Sequence, residues 1–370
     1  MSPRALSRRL ASSVGAALLC AALAGRAHGK PPDLPGQAAK KSPITMSGRL
    51  FVRETVAKEG DDDLDAATSL ASARLGLRYQ HKELRARIEL EVRKSARLRA
   101  AYLELDLGPG RELQAGLFKL PLSPLEFTSA WKLPMADRGL LSTVLRDRLQ
   151  VAGRRVGAAL RWRAGARHCP WWRRPELEAG YWQGQNDTED PLAVGADAGF
   201  GKVGSARVTL GPLGASAQVR AGTPALLTPV RHAWASALDV TLEHGGLRLW
   251  GEAMLGSSWL VADPTREQAL FVEARAVVAW RAGGAVEGAP YLEPYVLVGG
   301  VDPDTRLTDD LVLEATSGLN AGRWQRWRLQ LEFQLWRIGA NAPRGIVDAA
   351  APPRDHTALL LQLAAAFGKH

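Results

Sequence analysis

Apolar and charged residues alternate along many short segments of the chain. In LRARIELEVRK, residues 84–94, every second residue is apolar and five charged residues fill the positions between. Period-two alternation predicts a β-strand, because successive side chains point to opposite faces of a sheet. One purely aliphatic face and one ionic face are typical of an outer-membrane barrel, whose outside meets lipid and whose lumen is wet.

Sixteen segments of this kind follow one another after residue 43. Bacterial single-chain barrels usually have an even number of strands, so the sequence predicts an all-β fold: a transmembrane antiparallel β-barrel of about 16 strands. The predicted strands lie at 44–55, 69–80, 84–94, 98–107, 111–119, 153–163, 175–184, 202–210, 213–221, 234–243, 246–256, 268–281, 290–300, 308–317, 324–337 and 356–367.

The connections between these segments broadly alternate between tight and long. Tight ones, such as GPG at 108–110 and HGG at 244–246, contain the glycines that hairpin turns favour. Membrane barrels have short periplasmic turns and longer external loops, which predicts that both chain ends lie in the periplasm. The longest connection, 120–152, follows the fifth strand, and a strandless connection of this length is uncommon unless it has a function.

Within each segment the two faces can be assigned by parity. An arginine at mid-bilayer on the lipid face would cost about 2–4 kcal/mol, so the aliphatic set is predicted to face lipid and the charged set the lumen. In 324–337 the apolar set is Trp327, Leu329, Leu331, Phe333 and Leu335, and the polar set is Arg326, Arg328, Gln330, Glu332 and Gln334. Aromatic residues near strand ends are predicted to form interface girdles: Trp162, Trp182, Trp280, Tyr291, Trp324 and Trp336.

The basic composition does not change this picture. The formal charge of the 370-residue chain is +10, with 48 Lys and Arg against 38 Asp and Glu. A basic chain is a candidate for nucleic-acid binding. Here the basic residues are mostly arginines that are spread along the strands and interleaved with acids. A nucleic-acid partner is therefore not expected.

The N-terminal residues predict export. Residues 1–29 have a basic start, an apolar stretch at 14–25 and small residues for cleavage after Ala27 or Gly29, as a signal peptide does. A membrane-spanning helix needs about 20 apolar residues, so this stretch is too short to be one. The Pro-rich residues 30–43 are predicted to be a periplasmic linker, and residues 44–370 the barrel.

Motifs of a known family lie between residues 101 and 187. The segment resembles the phosphate-selective porin family of the O/P type in GLFKLP at 116–121, in GRRVGAALRW at 153–162 and in LEAGYWQGQND at 177–187. The matching residues of the first part are Gly116, Phe118, Lys119, Pro121, Ser123, Glu126, Thr128, Ser129, Leu133, Pro134, Arg138 and Leu140.

The resemblance implies an outer-membrane porin for passive diffusion of small hydrophilic solutes, with 120–152 folded into the lumen as a constriction loop. It also implies a preference for anions, phosphate-like anions among them, because lumenal basic side chains attract them. The constriction-loop motif is Phe118, Pro121, Glu126, Thr128, Ser129 and Arg138. The candidate pore-lining residues are Arg74, Arg78, Arg85, Arg87, Arg93, Lys119, Arg155, Arg326 and Arg328.

One alternative concerns the charges themselves. Glutamates such as Glu89 and Glu91 share the predicted lumenal face with the arginines. The arginines can therefore pair with these glutamates across strands instead of attracting solutes. The sequence leaves this choice open.

Other classes of protein fit the sequence less well than a porin does. An outer-membrane enzyme needs a nucleophile and a base, but none of the seven His lies in a hydrolase or metal-binding motif, so neither catalysis nor a metal or other cofactor is expected. A plugged structural or adhesive barrel would insert without conducting, and a soluble secreted β-protein would need no lipid. The sequence favours a porin in the outer membrane of a Gram-negative-type bacterium. Its expected partners are small anions, membrane lipid, the barrel-insertion machinery and, by the resemblance, further copies in a homotrimer.

Overall fold

The computed structural model describes residues 42–60, 64–92, 96–164, 175–183, 202–221, 232–258, 269–283, 286–342 and 354–368. The signal peptide predicted at 1–29, most of the predicted linker and the candidate Arg93 lie outside these residues.

Within the described residues the chain forms sixteen antiparallel strands that close into a barrel. Each strand pairs with its neighbours in the chain, and the last strand pairs with the first from Ser47 opposite Gly368 to Glu59 opposite His356. The strands are β1 Ile44–Glu59, β2 Asp65–His81, β3 Leu84–Val92, β4 Ala96–Asp106, β5 Arg111–Lys119, β6 Arg154–Arg163, β7 Pro175–Gln183, β8 Val203–Leu210, β9 Leu213–Ala221, β10 His232–His244, β11 Leu247–Ser258, β12 Ala269–Trp280, β13 Pro290–Asp302, β14 Val312–Arg323, β15 Trp327–Ile338 and β16 Arg354–Gly368. Ala282–Gly283 continues the pairing of β12 with β13. The predicted all-β barrel is confirmed.

Two strands begin three or four residues later than predicted, and β1 and β2 extend four residues beyond their predicted bounds at the loops. The strand predicted at 308–317 is Val312–Arg323, because residues 303–311 form a loop in which Asp309 has a φ of 62°. The next strand begins at Trp327 instead of residue 324, because 324–326 form a tight turn with Gln325 at a φ of 61°. Alternation is already interrupted in both stretches, at Asp309–Asp310 and at Gln325–Arg326, and these interruptions mark where the ladder stops.

The parity assignment of the two faces agrees with the structure. The aliphatic side chains of β3 and β15 are exposed on the outside, whereas Arg328, Gln330, Glu332 and Gln334 point inward and are buried.

The aromatic girdle is smaller than predicted. Trp162 and Trp280 are exposed on the outer face, but the other four predicted members are buried or half-buried: Trp182, Tyr291, Trp324 and Trp336.

The tight turns lie at one end of the barrel, here called the turn end, and include 82–83, 211–212 and 245–246. Residues 303–311 and the connection between β5 and β6 leave from the opposite end, the loop end. No helix among the described residues is long and apolar enough to cross a membrane.

Residues 120–153, here called the inner segment, lie inside the barrel. The segment contains the short helix α1 (Pro124–Phe127), the helix α2 (Gly139–Thr143) and a π-helical turn at Val144–Arg148. Ser123 caps α1 by accepting a hydrogen bond from the Glu126 amide at 3.2 Å, and Pro124 occupies the first turn, where no amide donor is needed.

Apolar packing fixes the inner segment against one side of the barrel wall. Its leucines share dry clusters with inward-facing residues of β10–β15, and α2 approaches β13 at Gly299, where a Cβ would come within 2.7 Å of Leu141 Cδ1. A fully buried leucine contributes about 1.5–3 kcal/mol, so several of them hold the segment firmly. The buried members are Leu122, Leu125, Leu133, Leu140, Leu141, Val144, Leu145 and Leu149.

Candidate functional site in the lumen

A cavity of about 770 Å³ lies between the inner segment and the wall formed by β1–β8. The inner segment packs against the opposite wall, so the open part of the lumen is displaced to one side of the barrel. Twelve basic and six acidic side chains line the cavity. The basic ones are Arg49, Arg53, Arg74, Arg87, Arg99, Lys119, Arg138, Arg146, Arg154, Arg161, Arg163 and Arg207, and the acidic ones are Glu89, Glu91, Glu126, Asp137, Glu176 and Glu178.

Part of this charge is paired across the strands. Arg74 Nε lies 2.8 Å from Glu91, and Arg87 Nη2 lies 2.5 Å from Glu89. Arg99 Nη1 lies 3.2 Å from the second oxygen of Glu91. The alternative that lumenal arginines and glutamates pair is therefore confirmed for these residues, and any preference for anions has to come from the basic side chains in excess.

Arg49 contributes to that excess. It stands directly opposite Arg74 in the pairing of β1 with β2, so two guanidinium groups share one level of the wall. Its Nη1 donates to Ser129 Oγ of the inner segment at 3.0 Å. Within the described parts of the chain, no carboxylate lies within salt-bridge distance of Arg49. Its positive charge therefore faces the cavity without a direct ion pair, although the charge of Glu89 in the same wall acts on it.

Toward the turn end, the wall of β3–β7 carries a ladder of alternating charges. Arg85 lies 3.3 Å from Glu104 and also contacts Glu112, and Arg161 lies 2.9 Å from Glu178 and 3.4 Å from Glu112. A groove of about 300 Å³ lies beside this ladder. Five basic and three acidic side chains line this groove.

Beside the inner segment, Arg146 and Arg207 also have acidic partners that do not line the cavity, Asp147 at 2.8 Å and Asp239 at 2.6 Å. The excess of positive charge there is therefore smaller than the count of lining side chains indicates.

Buried polar contacts hold the inner segment to the wall of β11 and β12. Arg275 Nε lies 2.5 Å from Glu252, and its Nη2 lies 3.2 Å from both Ser123 Oγ and Glu126 Oε1. Burial of Glu126 opposes its ionisation, but the guanidinium groups of Arg138 and Arg275 outweigh this effect and lower the pKa of Glu126 to about 2. Glu126 therefore remains ionised, and it anchors the segment at neutral pH.

A second set of contacts holds residues 130–137. Arg328 donates to the carbonyl oxygens of Leu133 at 2.8 Å and Ala130 at 3.1 Å. Arg53 donates to the carbonyl of Ala136 and to Asp137, both at 2.9 Å. The lumenal surroundings oppose ionisation of Asp137, although about half of its side chain is exposed, and the Arg53 charge and hydrogen bond lower its pKa.

The structure separates the predicted pore-lining residues into several groups. Arg74, Arg87 and Lys119 line the cavity, and Arg85 lines the groove at the turn end. Arg78 is exposed and lines neither. The prediction for Arg93 falls outside the described residues.

Three predicted positions need correction. Arg155 is fully buried beneath the end of the inner segment and donates to the Gln150 carbonyl at 3.0 Å. Arg328 is buried under the same segment and binds its carbonyls instead of lining the cavity. Arg326 lies in the turn before β15, with 45% of its side chain exposed, because the strand starts three residues later than predicted.

The predicted constriction-loop motif is brought together inside the barrel. Pro121, Glu126, Ser129 and Arg138 line the cavity, and Phe118 also borders it while its ring packs 5.5 Å from that of Trp182. Thr128 caps the C-terminus of α1, donating its amide to the Pro124 carbonyl.

Several lining residues were not selected from the sequence. Arg49 and Arg53 alternate with the apolar Leu50 and Val52 in β1, so parity alone was sufficient to find them. Arg146 lies in the inner segment, where no period-two pattern exists. The lining set that sequence reasoning missed is Arg49, Arg53, Arg99, Arg146, Arg154, Arg161, Arg163 and Arg207.

Comparison with solved structures identifies the fold. An anion-selective porin from Comamonas acidovorans is 14% identical, with a TM-score of 0.58 over 88% of this chain and 99% of that one. OmpF of Salmonella typhi, in complex with daunomycin, is 12% identical, with a TM-score of 0.57 over 88% and 97%. The outer-membrane channel DcaP of Acinetobacter baumannii is 14% identical, with a TM-score of 0.54 over 90% and 100%. The class of protein that this architecture defines is the porin-type transmembrane β-barrel.

No model of a known protein family matches the chain, and the search of curated proteins found no match. The resemblance to the phosphate-selective family is therefore not confirmed. The three solved structures share the fold at low identity, so solute and ion preference have to be argued from this chain's own lumen.

Proposed function

We propose that this protein is an outer-membrane channel for passive diffusion of small hydrophilic solutes, with a preference for anions. The observation that carries the proposal is the cavity beside the inner segment, lined by twelve basic and six acidic side chains. Fixed positive charge at a narrow point raises the local concentration of anions and lowers that of cations. No chemical step is involved.

The chemistry of the lining supports small oxyanions as one class of solute. Arginine carries a permanent charge and a planar fork of donors that matches carboxylate and phosphate oxygens. Arg49 and Arg74 stand opposite each other on adjacent strands. Because Arg74 is paired with Glu91, Arg49 is the guanidinium group at this level that an anion would meet. Phosphate-like anions are therefore within the proposed range of solutes.

The proposed partners other than solutes are membrane lipid, the barrel-insertion machinery and further copies of the chain in a homotrimer.

The second candidate is a plugged structural barrel without channel activity. The large dry clusters between the inner segment and β10–β15 favour it, because they fill that side of the lumen. Zero-current potentials across planar bilayers with a potassium chloride gradient decide between the two. We expect the protein to conduct, with a zero-current potential whose sign shows that chloride permeates more readily than potassium. A potential that favours potassium would overturn the anion preference, and insertion without conductance would support the plugged barrel.

Arg49 offers a direct test of the charge that lines the cavity. Replacing Arg49 with glutamine keeps a donor for Ser129 but removes the charge. One charge at 4 Å in water is worth about 1 kcal/mol, so the chloride-to-potassium permeability ratio is expected to fall by roughly two- to fivefold at low salt. The same measurement of zero-current potential reports the ratio.

The matched control is Arg337→Gln, which removes the same charge from an exposed position that does not line the cavity. Its permeability ratio is expected to equal that of the wild type. Equal ratios for the wild type and Arg49→Gln would contradict the assignment of Arg49 to the ion path.

A further inference from the structure

Lys119 is held by backbone carbonyls at the edge of the cavity. It is the last residue of β5, and its Nζ donates to the carbonyl oxygens of Glu126 at 2.7 Å and of Phe127 and Thr128 at 3.3 Å. An ammonium group has three donors, and the three carbonyls account for all of them. Its hydrogen-bonding capacity is therefore used within the protein and not offered to a passing anion.

Arg138 meets the same carbonyls from the inner segment itself. Its two terminal nitrogens donate to the carbonyls of Glu126 and Thr128. The last carbonyls of a helix have no partner within the helix and carry partial negative charge, so cations are favoured there. Lys119 and Arg138 thus form one cluster around the C-terminus of α1, here called the carbonyl clamp.

The residues that the clamp holds form the boundary between packed and open lumen. Behind them, Glu126 accepts hydrogen bonds from Ser142 of α2 and from Arg275 of the wall. In front of them, Phe127 and Ser129 border the cavity. The guanidinium carbon of Arg207 lies 4.9 Å from the centre of the Phe127 ring, and the Ser129 hydroxyl accepts a hydrogen bond from Arg49. A shift of residues 126–129 would therefore change the width of the cavity directly.

We infer that the carbonyl clamp of Lys119 and Arg138 sets the width of the pore, and that Lys119 is a positioning residue and not an anion-binding one. The inference rests on the proposed channel function. Without the Lys119 ammonium, three carbonyls at the edge of a wet cavity take water as partners, and residues 126–129 lose their tie to β5. The aperture then widens and fluctuates.

The test separates width from charge by using neutral polymers. Single-channel conductance of Lys119→Met is measured with polyethylene glycols of increasing mass, which reduce the current only when they enter the pore. The expected result is a shift of the exclusion limit to larger polymers, with increased open-channel current noise. Lys119→Arg, which keeps donors for the same carbonyls, is expected to return the limit toward that of the wild type.

The charge control is Arg87→Met, because Arg87 lines the same cavity but pairs with Glu89 on the wall. It is expected to lower the chloride-to-potassium ratio with the polymer limit unchanged. An unchanged limit in Lys119→Met, or equal shifts in Lys119→Met and Arg87→Met, would overturn the inference. If Lys119→Met does not insert into the membrane, the polymer exclusion limit of Arg138→Met is measured instead, with the same expected and contradicting results. A wild-type protein that does not conduct would contradict the proposed function instead.

Discussion

Replacing Arg275 with methionine is expected to lower the free energy of unfolding by about 3–5 kcal/mol, because it leaves buried carboxylates without their cation. Glu252 and Glu273 have no exposed side-chain surface, and Arg275 is the cation within 3.3 Å of each of them among the described residues. The same guanidinium also holds Ser123 and Glu126 of the inner segment. The loss is measured by reversible denaturant unfolding of the refolded barrel in lipid vesicles.

The matched control for this substitution is Arg163→Met. Arg163 pairs with Glu176 at 3.3 Å, but the two side chains are 60% and 51% exposed. Exposed pairs contribute about 0–1 kcal/mol, so this variant is expected to unfold almost as the wild type does. A loss in Arg275→Met no larger than that of the control would show that the buried network does not hold the inner segment.

Replacing Leu331 with arginine is expected to destabilise the membrane-inserted barrel by about 2–4 kcal/mol, the cost of a lipid-facing arginine near mid-bilayer. Leu331 lies near the middle of β15, and its neighbours in register, Leu319 and Leu361, are also apolar. The Leu331 side chain is 47% exposed on the outside, whereas Gln330 and Glu332, which precede and follow it in the strand, point inward and are buried. The measurement is again unfolding in vesicles.

Two controls isolate the effect of lipid. Leu331→Ala reports the loss of side-chain volume alone, and Thr209→Arg places the same cation on the inner face of β8, where it can extend into the cavity. Both are expected to cost clearly less than Leu331→Arg. Equal costs for the arginine at positions 331 and 209 would contradict the assignment of the two faces.

The faces of the strands could be predicted from the sequence because each depends on a local pattern. Ile88 and Glu89 are neighbours, and the period of two places one outside and the other inside whatever the rest of the chain does. The closure of the barrel also followed from the number of such segments and their short connections. What failed locally was the strand boundary near Arg326, since residues 324–326 form a tight turn in which Gln325 is left-handed, and the strand begins only after it.

The identity of the lining residues could not be predicted in the same way. Arg87 and Arg328 have the same alternating context, but Arg87 borders open lumen whereas Arg328 is covered by the inner segment. Which arginines are covered depends on where residues 120–153 pack, and that is decided by contacts between residues far apart in the chain. The leucine-rich composition of 120–153 indicates a packed segment, yet it does not say against which wall.

The proposed channel depends on a closed barrel with an apolar outside and a wet, ionic lumen. Spin labels placed singly at Arg87, Ile88 and Leu90 of β3 in the vesicle-inserted protein test this arrangement most directly. We expect labels at 88 and 90 to collide with oxygen dissolved in the acyl chains, and the label at 87 to collide with a water-soluble relaxation agent. Labels at 88 and 90 that meet the water-soluble agent, with a label at 87 in lipid, would contradict it.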